Sequence, residues 1–175
     1  MGKRSNFERI ERDFYPTPYE AVIPLLKHLP DKSRFIEPCA GDGRLIRHLE
    51  GAGHECVFAC DIEPQAGGIE KRDVLFFNYE FPDRPHCDFI ITNPPWERSC
   101  LHAMIFKFTA HAPSWLLFDS DWAYTGQSKP FSKLCSKIIP VGRVKWIEGS
   151  KNSGMDNASW YLFDSRHSGK TEFIF

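Results

Sequence analysis

Apolar residues along this 175-residue chain recur with two periods, and the switches between them mark out its elements. Val22, Leu25, Leu26 and Leu29 fall at helical spacing. Thr17-Pro18-Tyr19-Glu20 opens that helix, with Thr17 as N-cap, Pro18 at the first helical position and an acid close behind, and Pro30 stops it. Beyond it the pattern predicts a strand over 34–39, a helix over 44–52, a strand over 55–62 and a short strand over 72–77 after a glycine-rich loop. A strand over 88–92 precedes a helix over 98–112, whose Leu101, Met104, Ile105, Phe108 and Ala112 share one face. Residues 114–119 read as a strand. Phe131, Leu134, Cys135 and Ile138 fit a helix over 128–138, and 143–149, 158–164 and 171–175 read as strands joined by turns. Strands alternating with helices imply an α/β fold, a mostly parallel sheet with helices on both faces. Residues 1–12 are polar and mixed in charge, the pattern of a mobile N-terminal arm, which leaves 13–175 as one domain.

Asn93-Pro94-Pro95-Trp96 changes the picture from fold to chemistry. It follows the apolar run Asp88–Thr92, and two prolines in succession cannot continue a sheet ladder, so the chain leaves the strand in a rigid, extended turn. That exposes the Asn93 amide, the Pro94 carbonyl and the Trp96 ring at the carboxyl end of a strand, where open α/β sheets bind ligands. Two fixed acceptors beside a flat aromatic face suit a planar ring carrying an exocyclic amino group, such as a nucleobase.

A second constellation lies upstream. Phe35–Cys39 runs into Ala40-Gly41-Asp42-Gly43, a strand, a glycine turn and then a helix, which lets a ligand approach the backbone next to the positive end of a helix. The third glycine of a dinucleotide fingerprint is missing, since Arg44-Leu45-Ile46 follow directly. The next strand ends at Asp61, about 20 residues past the turn, where nucleoside-binding folds place a carboxylate on ribose hydroxyls. Asp73 follows. Three carboxylates, Glu37, Asp61 and Asp73, at the tips of successive strands suit a cationic nucleoside better than a pyrophosphate.

Composition narrows the field only modestly. The chain is 42% hydrophobic and 26% charged, an ordinary globular balance. A net charge of −1 carries no whole-molecule basic footprint of a nucleic-acid binder. Its six cysteines form no C-x-x-C pair and read as reduced, small hydrophobes, and its seven histidines show no metal-ligand spacing. No apolar run is long enough to span a bilayer, and Met1 opens a polar stretch rather than a signal peptide, so the expected location is the cytoplasm.

The order Asp13-Phe14-Tyr15-Pro16-Thr17-Pro18, Glu37–Gly43, Asp61, Asp73, Asn93–Trp96 resembles the S-adenosylmethionine-dependent amino-methyltransferases. Within them it looks most like the small phage- and prophage-type DNA adenine-N6 methyltransferases, over nearly the whole chain and including the late strand Ala158–Phe163. The resemblance implies a Rossmann-like class I methyltransferase fold, seven strands with the last antiparallel, the tail strands 143–149 and 158–164 forming the closing hairpin. It implies S-adenosyl-L-methionine as cofactor, with Tyr15, Thr17 and Pro18 at its methionine end and Glu37, Gly41 and Gly43 lining the same region. Asp61 would hold the ribose, Ile62 would pack on the cofactor adenine and Asp73 would accept from its amino group. Asn93, Pro94, Pro95 and Trp96 would make the catalytic turn that holds the target base, with no metal. Trp96 stands where Tyr or Phe is commoner, Asn93 where many adenine enzymes carry Asp, and there is no room for a separate target-recognition domain. The nucleic-acid partner, DNA first, would then be met by short loops, with Lys129, Lys133, Arg143, Lys145 and Lys151, or an arm bearing Lys3, Arg4, Arg9 and Arg12, as candidate contacts. An RNA base or a protein glutamine suits the same turn, and a catalytically silent nucleotide- or partner-binding module is the reading of a different class.

Overall fold

A computed structural model describes residues 14–76, 86–149 and 153–175. The arm at 1–12 and Lys151 lie outside the described residues. Among those described, three helices, α1 (Tyr19–Leu26), α2 (Arg44–Gly51) and α3 (Arg98–Thr109), flank one sheet. Its strands are β1 (Arg34–Glu37), β2 (Glu55–Asp61), β3 (Glu70–Lys71), β4 (Phe89–Thr92), β5 (Ser114–Asp119), β6 (Cys135–Arg143), β7 (Asn157–Phe163) and β8 (Glu172–Phe173). They lie in the order β3-β2-β1-β4-β5-β7-β6-β8. Pairings from β3 across to β5 are parallel, β7 runs antiparallel to both β5 and β6, and β8 pairs parallel with β6. The sheet therefore has eight strands rather than the expected seven, because the two-residue β8 extends the edge.

The central strands are apolar on both faces, as strands covered on both sides must be. Successive residues feed opposite cores. Phe35, Ile91, Trp115, Leu117 and Trp160 meet α1 and α2 through Val22, Leu25, Leu45 and Leu49. Ile36, Ile90, Leu116, Phe118 and Tyr161 meet α3 through Leu101, Met104, Ile105 and Phe108. At roughly 1.5–3 kcal/mol for each large apolar side chain buried, α3 is held by its tertiary face more than by intrinsic propensity. Glu97 caps it, its carboxylate accepting from the Ser99 and Cys100 amides.

Several expected elements differ. The helix over 128–138 is instead a 3-10 segment at Gly126–Phe131, a turn over 132–134 and then β6. Pairing with β7 along Cys135–Arg143 wins over the helical spacing, and Pro140, which has no N–H to give, falls at a register shift in that ladder. The strand over 143–149 ends at Arg143, just past Gly142 at φ 87°, so the hairpin is β6–β7. The strand expected over 72–77 does not form at 72–76: β3 stops at Lys71, just before it, because the Asp73 carboxylate accepts from the Leu75 amide at 2.8 Å and turns the chain away, and residue 77 lies outside the described residues. Finally, α1 begins after Pro18 with no side-chain cap, so Thr17 is not the N-cap. No helix among the described residues is long and apolar enough to cross a membrane. All six cysteines are free, with Cys60 and Cys135 buried and the others half-buried.

Candidate functional site

Strand order reverses between β1 and β4, so the connections leaving their carboxyl ends go to opposite sides and open a crevice, the place where doubly wound sheets bind ligands. Glu37 ends β1 and Asn93 follows β4, which puts both at that point. Segment 14–18 crosses it and brings Tyr15 and Thr17. A small cavity of about 30 Å³ is lined by Tyr15, Thr17, Glu37, Cys39 and Asn93, with the Phe14 ring at its side.

Past β1 the chain turns through two left-handed glycines, Gly41 at φ 52° and Gly43 at φ 75°. A Cβ on Gly41 would stand 2.8 Å from the Phe14 ring, so only glycine fits there. The turn is tied to the neighbouring strand tip. Asp61 Oδ2 accepts from the Gly41 amide at 2.8 Å and its Oδ1 from the Glu63 amide at 2.7 Å. Both oxygens keep lone pairs for a further donor. Ile62 beside it is 47% exposed, an apolar surface open to a ligand.

Glu37 is almost wholly buried, and its Oε1 accepts from the Cys39 amide at 3.1 Å. Its Oε2 and the neighbouring Thr92 hydroxyl are both buried and lack a hydrogen bond of good geometry, although the hydroxyl lies close enough to pull on the carboxyl. Burial pushes the carboxyl up to about 8, against the partial pull of the Thr92 hydroxyl and the Cys39 amide and with a smaller push from Asp61. An orphaned acid at the wall of a cavity suits a cationic group arriving from solvent.

At the β4 turn, Asn93 Nδ2 donates to the Tyr15 carbonyl at 3.3 Å and to Thr17 Oγ1 at 3.2 Å. Its Oδ1 accepts from Trp96 Nε1 at 3.3 Å. Pro94 is buried and Pro95 half-buried. The edge-on Trp146 ring meets Trp96 at 5.7 Å between centroids. Behind them Arg98, at the start of α3, pairs with Asp119 at the end of β5 at 2.8 Å.

The structure thus gathers Tyr15, Thr17, Glu37 and Asn93 around one cavity and joins Gly41 to Asp61. Pro18 borders this cluster as the residue before α1. Gly43 faces instead a larger groove of about 470 Å³, between α2 and the 66–70 segment, floored by Val57 and Phe58. Asp73 is drawn into its own turn and lines neither space. Lys129, Lys133, Arg143 and Lys145 are exposed. Thr92, Trp146 and the Arg98–Asp119 pair escape a sequence reading. Only Trp146 left a signal there, a large aromatic in the charged stretch Arg143–Gly149.

No protein-family model matches the chain, and no curated protein does. Solved structures do. A protein from Pyrococcus horikoshii described as an RNA methyltransferase superposes with a TM-score of 0.63 at 13% identity, over 95% of this chain and 91% of that one. A class I S-adenosylmethionine-dependent methyltransferase from Listeria monocytogenes gives 0.57 at 10% identity, over 97% and 67%. A modification subunit of a type I restriction enzyme from Vibrio vulnificus gives 0.56 at 13% identity, over 91% of this chain and 46% of that one. The fold is that of the class I methyltransferases. The chain spans about half the length of the type I modification subunit. S-adenosylmethionine is the cofactor expected of this fold.

Proposed function

We propose that the chain is an S-adenosylmethionine-dependent methyltransferase acting on the exocyclic amino nitrogen of a nucleobase, adenine N6 in DNA first, as in the small phage-type enzymes, with 13–175 as one catalytic domain. The observation that carries this reading is the Asn93 amide, held by Tyr15 and Thr17 at the switch point of the sheet with its oxygen on the side of the Trp96 ring. Bound S-adenosylmethionine supplies an electrophilic methyl group. The residues fit it. The orphaned Glu37 oxygen suits its cationic end, together with Tyr15, Thr17 and Pro18, and the Gly41–Gly43 turn lets the backbone come close. Asp61 has lone pairs for ribose hydroxyls, and Ile62 offers an apolar face to the cofactor adenine. Asp73 can accept from the adenine amino group once a ligand competes for its own turn.

On the substrate side, Asn93 Oδ1 and the Pro94 carbonyl accept from the amino group, localising its lone pair on nitrogen and turning it towards the methyl. The leaving proton passes to solvent, since a neutral amide is no base and the rate gain comes from positioning and electrostatics. The base must leave a duplex to arrive, at a few kcal/mol, and stacking on Trp96 returns about 1–3 kcal/mol. That a restriction-enzyme modification subunit shares the fold supports a DNA substrate, and exposed Lys129, Lys133, Arg143 and Lys145 supply phosphate contacts.

Incubation with methyl-labelled S-adenosylmethionine and unmethylated duplex DNA, with ribosomal RNA in parallel, followed by digestion to nucleosides, tests this. Labelled N6-methyladenine from DNA is expected, and Asn93→Ala should lower turnover at least about 100-fold while cofactor affinity stays within about twofold. Label in RNA alone moves the substrate. Label nowhere despite measured cofactor binding overturns the catalytic reading.

A further inference from the structure

Asn93 is held on three sides, and the third is supplied by its own motif: Trp96, three residues on, returns its indole N–H to Asn93 Oδ1. A carboxamide is nearly symmetric in shape, so what decides its direction is which neighbours can donate and which can accept. Here the neighbours are sorted. The Tyr15 carbonyl accepts only and takes an Nδ2 hydrogen; Thr17 Oγ1 also accepts from Nδ2, although a hydroxyl can donate as well. The Trp96 indole donates only. Rotating the amide by half a turn would set carbonyl against carbonyl at Tyr15 and N–H against N–H at Trp96 and would lose both of those bonds, while the Thr17 hydroxyl could serve either orientation. Trp96 is further held by the edge-on Trp146 ring, and Trp146 by Gly154, where a Cβ would stand 3.2 Å from that ring.

We propose that the indole N–H of Trp96 is a positioning group that locks the Asn93 amide, so that the site presents acceptors alone and selects amino-bearing bases over keto-bearing ones. This rests on the methyl-transfer reading above. The lock is separate from stacking, since a phenylalanine ring at 96 offers a face and no N–H. It uses one of the two Oδ1 lone pairs and leaves the second for one substrate hydrogen. A carbonyl edge brought to the same place meets an acceptor that cannot turn away, so guanine and thymine edges are repelled where the adenine amino group is taken.

Two measurements keep this distinct from the methyl-transfer reading. First, the Trp96 indole N–H is followed by nitrogen–proton NMR in the protein without substrate, assigned by its loss in Trp96→Phe. Slowed hydrogen exchange in wild type, lost in Asn93→Ala, is expected. An indole proton that exchanges equally fast in both overturns the lock whatever the enzyme methylates. Second, Trp96→Phe is compared with wild type on adenine-containing single strands, with strands bearing hypoxanthine at the target position as competitors. The expected result is a kcat lower by about 10-fold, KM within about threefold, and hypoxanthine strands that inhibit more strongly relative to wild type. A change in KM alone with unchanged preference would show that Trp96 serves only as a stacking face and would overturn the proposal. Should no substrate be methylated at all, binding of the two strands is measured instead, and equal preference in wild type and variant overturns it.

Discussion

A buried carboxylic acid with one oxygen left unsatisfied is costly in its charged form, and Glu37 illustrates how that cost can serve a site. Desolvation raises its folded-state value from an ordinary 4.5 to about 8, so the folded protein holds a proton that the unfolded chain releases. A raised acid contributes stability that is fully present below 4.5 and is lost as pH rises through 8. Thermal melting between pH 6 and pH 9 should therefore fall by roughly 5 °C more in wild type than in Glu37→Gln, which carries no titration there. Cofactor binding should show the complementary trend, since a cation favours the ionised acid. Its dissociation constant, measured by calorimetry across the same range, should tighten several-fold as pH rises towards 8 and release a proton on binding, and Glu37→Gln should flatten both. Parallel pH profiles in wild type and variant would remove Glu37 from the cationic end of the cofactor.

Elements were legible where one period dominated and where a local signal had no tertiary rival. Leu101, Met104, Ile105 and Phe108 announced α3, and all four are buried as their spacing implied. The continuous apolar run before Asn93 announced β4. Two signals misled for physical reasons. Phe131, Leu134, Cys135 and Ile138 keep helical spacing, but Phe131 belongs to a 3-10 turn while Cys135 and Ile138 sit in a strand, and no local pattern reveals a partner strand that arrives some twenty residues later. Thr17 carries the signature of an N-cap, yet its hydroxyl serves Asn93, 76 residues away, in preference to the helix beside it. That diversion was invisible in sequence, and it brings Thr17 and Asn93 together at the wall of the cavity. Since β6 is held by pairing and by its buried residues, Ile139→Ala, at a position 2% exposed, should cost about 2–4 kcal/mol in urea unfolding.

Across the whole molecule, the site depends on a helix that the sheet holds from its far side. Segment 14–18 supplies the acceptors for Asn93 and leads straight into α1, an eight-residue helix too short to be stable alone. α1 packs on α2 and β6, and β7, near the other end of the chain, adds a tie of its own. Trp160, fully buried, donates its indole N–H to the Ala21 carbonyl at 2.8 Å, across 139 residues of sequence. The Lys145 amide adds a bond to Glu20 Oε1 at 3.1 Å. The antiparallel strand β7 is thus tied to the helix that follows Tyr15 and Thr17. Trp160→Phe keeps an aromatic in that core but removes the donor and leaves space beside α1. It should cost about 2–3 kcal/mol of stability in urea unfolding. If α1 carries the acceptors into register, the loss will not stay in the core. Cofactor affinity, measured by calorimetry well below the melting temperature, should fall several-fold, although Trp160 itself lines neither the cavity nor the groove. Full cofactor affinity in a variant so destabilised would show that segment 14–18 holds its place without α1, and that the tie between the last hairpin and the site is structural alone.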